Sequence, residues 1–359
     1  MSSTRTLILD STLADRDGEG TGGGAAIATA AGVLRAGGLV AFPTETVYGL
    51  GANATDAAAV ARIFIAKQRA LNDPLIVHCA PERNDLRDVT AALAGDQVIG
   101  ALSPEQHQRA LVLTRAFWPG PLTLVLPRGR RIPTNVTAGL DTVAVRMPDH
   151  PVALELIRRS GVPIAAPSAN RFGHVSPTTA RHVLDDLDGR IDVVLNGGPT
   201  AIGVESTVLD LTAPEPAILR PGGLAREEIE RVIGGLEVRD WRIEDERAPQ
   251  ASPGMLSKHY APRAELHIVA GLDQLLQERR TLVNQGRRVG LLVQSGEAEA
   301  CAGLDPQFIL GGTTAEIARN LYAGLRALDS SEVDVILVSE VERAGLGEAI
   351  LDRLRRGAQ

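Results

Sequence analysis

Short apolar runs rich in β-branched residues recur through the first two thirds of the chain, each too brief to be a helix and each closed by Gly, Pro, Asn or Asp. "LVAF" (39–42), "LTLVL" (122–126), "TVAVRM" (142–147), "VPIAA" (162–166), "DVVLN" (192–196), "STVLDL" (206–211) and "AILR" (217–220) all read as strands. Helical signals are fewer between them. "AAIATAAGVLRAGG" (25–38) is an Ala-rich helix stopped by Gly37-Gly38, and "DAAAVARIFIAK" (56–67) is a second with Asp56 as its N-cap. "SPEQHQRALVLTRAF" (103–117) has Ser103 as cap, Pro104 at the first helical position and Gln106 closing a capping box. Many strands among few helices predict a mixed α/β sheet rather than a doubly wound parallel one.

Near Gly235 the texture changes. "GGLEVRDWRIEDERAPQASPGMLSKHYAPRAE" carries many charges and three prolines without periodicity, and reads as a linker. Beyond it "ELHIVA", a helix, "RVGLLVQ", the helix "TTAEIARNLYAGLRALD", "VDVILVSE" and a last helix repeat a β-α-β rhythm. The expected division is residues 1–234, a linker at 235–263, and a smaller Rossmann-like α/β domain at 264–359, which suits a 359-residue chain too long for one ordinary core. That domain lacks a glycine fingerprint after its first strand, so a dinucleotide site is not expected there. "GEGTGGG" (18–24) reads as a flexible loop. The N-terminus lacks a signal-peptide pattern, and no apolar run approaches the roughly twenty residues needed to span a bilayer. Two distant cysteines, Cys79 and Cys301, read as reduced, so a cytoplasmic protein is expected, with no membrane partner. The net charge of −7 and an aromatic content of 3% argue against strong direct nucleic-acid binding.

Several polar residues stand where chemistry could be done. In "AKQRALNDPLIVH" (66–78), Lys67 and Arg69 lie two apart at a helix end, and Pro74 keeps the preceding residue out of helical conformation. If both cations face one cavity they can grip a polyphosphate; otherwise they are a solvated helix end offsetting the C-terminal dipole. "FPTETVYGLG" (42–51), if extended, places Thr44, Thr46 and Tyr48 on one face before two glycines. In "TVAVR", Thr142, Ala144 and Arg146 share one face opposite Val143 and Val145, leaving room beside Arg146 for a carboxylate. Ser168 and Asn170 lie in the turn after "VPIAA", where α/β proteins put ligand contacts; Ser206 sits beside Glu205, and Arg220 ends a strand. There is no P-loop pattern, no H-E-x-x-H metal spacing and no G-x-S-x-G, so neither a P-loop nucleotide site, a metal-ligand set nor a serine nucleophile is expected.

Taken in order, "FPTETVYGLG", K-x-R with "NDPLIVH", "WPGPLTLVL", "VAVRMPDHP", "APSAN", "VESTV" and "LRPGG" resemble the YrdC-like domain of threonylcarbamoyl-AMP synthases. "SPGMLSKHYAP" (252–262) resembles the interdomain linker of the long, two-domain form. The resemblance implies a twisted α/β sheet around a concave, positively charged cavity, with a Rossmann-like domain attached. It implies an L-threonylcarbamoyladenylate synthase, a nucleotidyltransferase that joins L-threonine, bicarbonate and ATP and releases pyrophosphate. The product would pass to a transfer-RNA threonylcarbamoyl transferase complex.

Carried over position by position, the family's contacts assign threonine to Thr46, His78, Arg146, the Ala166 backbone and Ser206. They assign ATP to Arg69, Asp73, Thr142, Ser168, Asn170, Ser176, Arg220 and, from the linker, Tyr260. Lys67, Arg69 and Arg220, with a magnesium ion brought by ATP, would stabilise charge on the phosphates. Ala70 departs from the family's usual proline, and Asp73 from the asparagine of many relatives. Two other readings keep the domain and change the activity. One is an RNA-binding module, which the net charge opposes. The other is carbamoyl-phosphate chemistry as in hydrogenase-maturation proteins, whose zinc-spaced cysteines are missing here.

Overall fold

The structure, a computed structural model, describes residues 6–12, 23–80, 101–238, 248–250, 252–254 and 260–358. In chain order, β1 (Leu7–Asp10), α1 (Gly23–Arg35), β2 (Val40–Phe42), β3 (Gly49–Asn53), α2 (Ala57–Lys67) and β4 (Ile76–His78) come first. Next are α3 (Pro104–Phe117), β5 (Leu122–Pro127), β6 (Thr142–Arg146), α4 (Pro151–Ser160) and β7 (Ile164–Ala165). They are followed by α5 (Ala180–Leu187), β8 (Val193–Asn196), β9 (Thr207–Asp210), β10 (Ala217–Arg220), α6 (Arg226–Ile233) and β11 (Glu237–Val238). These strands form one 11-stranded sheet in the order β1-β8-β2-β3-β7-β4-β6-β5-β9-β10-β11. Parallel pairs such as β4/β6 sit beside antiparallel ones such as β5/β6, so the sheet is mixed, as the strand-rich sequence predicts.

The helix signals act where they were expected. Asp56 accepts from the Ala58 and Ala59 amides at the start of α2, and Ser103 with Gln106 forms a reciprocal capping box on α3. Each such cap is worth about 1 kcal/mol. Strand alternation then sorts side chains between two cores: Val40 and Phe42 pack with α1 and α4, while Ala41 between them joins the larger core on the opposite face.

Beyond residue 260 come β12 (Glu265–Val269), α7 (Leu272–Asn284), β13 (Val289–Gln294), β14 (Gln307–Gly311), α8 (Thr314–Ser330), β15 (Val335–Ser339) and α9 (Gly347–Gly357). The four strands pair in parallel in the order β12-β15-β13-β14. Leu291, Val293, Val335 and Leu337 face one layer, and Leu292, Ile336 and Val338 the other. Strand β14 is absent from the sequence reading. It is a sheet-edge strand with Ile309 exposed, so it lacks the apolar alternation that marks its neighbours. The layer facing α8 and α9 also takes in Val47, Val175 and Val204 from the first part of the chain. No helix among the described residues is long and apolar enough to cross a membrane. Both cysteines are free and buried, and burial pushes the Cys79 thiol up to about 12. Of the glycine-rich stretch expected as a loop, residues 18–22 lie outside the described residues, while Gly23 and Gly24 form the first turn of α1; residues 239–247, 251 and 255–259 of the expected linker also lie outside them.

Candidate active site

The centre of the large sheet carries the cavity. Parallel pairing of β4 with β6 sets His78 opposite Arg146, and antiparallel pairing of β5 with β6 sets Thr123 there too. Val143 and Val145 enter the main core; Ala144 turns the other way and joins Ile76, Val125, Val208 and Leu219 in a small apolar floor. Arg146 continues that face into a cleft that it lines together with Thr46, His78 and Ser206. Its guanidinium is buried, bonded to the Gly120 carbonyl at 3.2 Å and the Thr46 hydroxyl at 2.9 Å, and it lies 2.5 Å from the Glu45 carboxylate. Burial, with the Arg146 charge beside it, pushes His78 down to about 3, so its ring is neutral at working pH.

The segment before β3 is not the extended strand expected from "FPTETVYGLG". Thr44 makes a side-chain turn instead: its hydroxyl donates to the Val47 carbonyl at 2.7 Å and accepts from the Thr46 and Val47 amides. Thr44 and Thr46 therefore line the cleft together, 2.9 Å apart at their hydroxyls, while Tyr48 points away and donates to the Gly198 carbonyl. A local hydroxyl–backbone bond has replaced strand alternation.

The two cations of K-x-R also part company. Helix α2 ends at Lys67 because Gln68 takes a left-handed conformation, φ 55°, as its C-cap. Arg69 then lines the cleft, held by the Asp73 and Pro74 carbonyls and paired with the Asp73 carboxylate at 2.8 Å, with both side chains almost wholly buried. Lys67 is not among the lining residues. Its ammonium, fully buried, donates to the Ser168 and Asn170 carbonyls and so fixes the turn after β7 from behind. Burial, and then the Arg69 charge, hold the Lys67 amine well below its usual range.

Opposite stands a wall from β9, β10 and the linker. Arg220 bonds the Ser206 carbonyl at 2.9 Å, the Ser206 hydroxyl at 3.2 Å and the Pro253 carbonyl at 2.9 Å. Tyr260, at φ 62°, closes the same side above Pro253 and Gly254. At Gly254, φ +78°, an added Cβ would sit 2.5 Å from the Tyr260 hydroxyl, so this approach requires glycine. Ser206 shares its hydroxyl with Thr123 at 2.7 Å; its side-chain partners, Thr123 and Arg220, are not bases, so it is not built as a nucleophile.

Of the expected site residues, Thr46, Arg69, His78, Arg146, Ala166, Ser168, Ser206, Arg220 and Tyr260 line the cleft. Lys67, Asp73, Thr142, Asn170 and Ser176 stand outside the lining. Asp73 supports Arg69, Asn170 bonds the Arg171 and His174 carbonyls, Ser176 donates to Glu205 at 2.6 Å, and Thr142 is half-buried at the start of β6. Two carboxylates have no role in the sequence expectations: Glu45, and Glu205, which figures there only as the neighbour of Ser206. Glu205 lines the cleft, and burial resists its ionisation, but Arg353, Arg220 and the Ser176 bond outweigh that and bring it down to about 2. Its partners lie too far along the chain for any motif to mark it. Three arginines, a neutral histidine and several hydroxyls around one cleft make a site for small anions.

A family model described as "Telomere recombination" matches residues 32–222, and one described as "Threonylcarbamoyl-AMP synthase, C-terminal domain" matches residues 224–359. A Pyrococcus abyssi protein named Threonylcarbamoyl-AMP synthase is 48% identical over 337 residues, covering 92% of this chain and 94% of its own. A Bacillus subtilis protein of the same name is 46% identical over 338 residues, covering 92% of each. The crystal structure of P. abyssi Sua5 complexed with L-threonine superposes with a TM-score of 0.86 at 46% identity, covering 98% of both chains.

Proposed function

Because the chain belongs to the threonylcarbamoyl-AMP synthase family, we propose that its cleft condenses L-threonine, bicarbonate and ATP to threonylcarbamoyl-AMP and pyrophosphate. The observation that carries this reading is the convergence of Arg69, Arg146 and Arg220 on one cleft with no activated nucleophile.

Arg146 takes the threonine carboxylate, with Thr46 and Ser206 offering hydroxyls and the Ala166 backbone a further contact. His78, neutral, packs beside the amino acid without adding charge next to Arg146. Bicarbonate gives up its hydroxyl, which takes one ammonium proton and leaves as water; the amine nitrogen bonds the resulting carbon dioxide and releases a second proton to solvent, forming a carbamate. A carbamate oxygen then attacks the α-phosphorus of ATP, and the bond to pyrophosphate breaks. Arg69 and Arg220 stabilise the charge that grows on the phosphoryl oxygens and the leaving group. Ser168 and Tyr260 flank the nucleotide; Asp73, Asn170, Ser176 and Thr142 serve it from behind the wall, as does Lys67 by holding the Ser168 turn.

The described residues hold no group of three or more His, Cys, Asp or Glu able to cage a metal. The cleft's hydroxyls would fit a magnesium ion that arrives on the triphosphate and keeps its waters. Such an ion would neutralise phosphate charge. The product, a mixed anhydride, is passed in the cytoplasm to the transfer-RNA-modifying complex that uses it.

The test is pyrophosphate release by the purified protein with threonine and bicarbonate omitted in turn. Release requiring both supports the reading. Release indifferent to threonine, or none, overturns it.

A further inference from the structure

Glu205 poses a problem for any site that receives ATP. A carboxylate that lines the cleft repels a triphosphate, and it competes with the phosphates for the nearby charge of Arg220. The structure meets this from the far end of the chain. Arg353 of α9, with a side chain 0% exposed, donates from Nε to Glu205 Oε2 at 2.7 Å and from Nη2 to the Pro221 carbonyl at 3.0 Å. It thus grips the residues just outside Ser206 and Arg220. The Tyr322 hydroxyl of α8 adds a bond to the same carboxylate at 2.9 Å, and the Arg353 guanidinium lies 5.0 Å from the Tyr260 ring centre. Asp352 pairs with both Arg353 and Arg356, so the string Glu205–Arg353–Asp352–Arg356 is electrically balanced.

The packing is equally close. Val47 and Val204, next to Thr46 and Glu205, are part of the core under α8 and α9. At Gly203, φ +87°, an added Cβ would lie 2.4 Å from the Ala318 carbonyl oxygen, so the backbone of the cleft wall touches α8 directly. Arg326 of α8 bonds the Val175 carbonyl and pairs with Asp186 at 2.7 Å, fixing the chain just before Ser176.

We propose that Arg353 is a positioning residue for the cleft: it engages the Glu205 carboxylate, so that Arg220 keeps its charge for the phosphates of the nucleotide. The C-terminal part of the chain thereby completes the electrostatics of a site it does not line with its own side chains. The inference rests on the ATP-binding reading above. An Arg353 variant leaves Glu205 drawn toward Arg220, and the damage falls on ATP rather than on threonine.

The experiment uses the full-length chain and two readouts, ATP affinity by direct titration and KM values from pyrophosphate release. Arg353→Met should weaken ATP binding at least about tenfold, with a smaller change in the KM for threonine. Adding Glu205→Gln to it should bring ATP affinity back to within about threefold of wild type, because the offending charge is gone. A structural defect would be deepened by that second change, not repaired. Arg353→Lys keeps the charge but loses the fork and should fall between wild type and Arg353→Met; Tyr322→Phe should weaken ATP binding slightly. If Arg353→Met does not fold, Arg353→Lys and Tyr322→Phe decide, each with and without Glu205→Gln. Unchanged ATP affinity in the folded single variants, or a double variant no better than its parent, overturns the proposal. Wild-type protein that binds ATP but releases no threonine-dependent pyrophosphate overturns the catalytic reading instead, and leaves the Arg353 comparison readable by titration.

Discussion

Glu205→Gln should change how stability depends on pH, and by an amount that follows from the site. The folded carboxyl sits at about 2 against an ordinary 4.5. A folded value below the unfolded one stabilises the native state above the unfolded value, and that contribution disappears as pH falls through the folded value. The difference is worth about 3 kcal/mol at pH 6 and about 1.4 kcal/mol at pH 3, where the unfolded carboxyl is already protonated. The gap in unfolding free energy between wild type and Glu205→Gln should therefore narrow by about 2 kcal/mol between those two pH values. The lost pairing with Arg353 is already contained in that difference, because Arg353 is the foremost of the groups that lower the Glu205 carboxyl. Urea denaturation of the two proteins at pH 6 and pH 3, followed by tryptophan fluorescence, measures it. A gap that stays constant with pH would show that Arg353 and Ser176 do not hold the carboxylate below its ordinary value.

Arg146→Ala should cut kcat/KM for threonine about 10²–10³-fold, and Arg69→Ala should do the same for ATP, each measured by pyrophosphate release; a variant with wild-type kinetics removes its residue from the site. Lys67→Met leaves the Ser168 and Asn170 carbonyls without their donor and should cost about 2 kcal/mol in unfolding free energy, with a raised KM for ATP; unchanged values for both would refute its bracing role. Gly203→Ala forces a Cβ into the α8 backbone at positive φ and should destabilise by about 2 kcal/mol or more, read as a lower Tm, whereas an unchanged Tm would mean the wall does not press on α8. Because His78 is held near 3, the kcat/KM–pH profile of His78→Asn should keep the wild-type shape between pH 5 and 8; loss of an inflection there would assign it a titrating role.

Much of the local structure is legible in the chain because its causes are local. The Asp56 and Ser103 caps act within three residues of themselves, and the alternation of Val143, Ala144, Val145 and Arg146 is a property of any strand. The order of the motifs was enough to identify the family, and the change of texture near Gly235 preceded a second, parallel sheet. Local rules misled where two local forces compete. Thr44 could extend its strand or bond its own backbone, and it bonded. Lys67 and Arg69 could share a face, but the left-handed Gln68 turned one behind the wall and the other into the cleft. What only tertiary structure decides is the setting of Glu205. Its partners come from positions 176, 322 and 353, and no periodicity or spacing links residues 148 apart in sequence. Only the packing of α8 and α9 against the cleft wall brings a fully buried arginine to that carboxylate, and burial gives the pairing its strength.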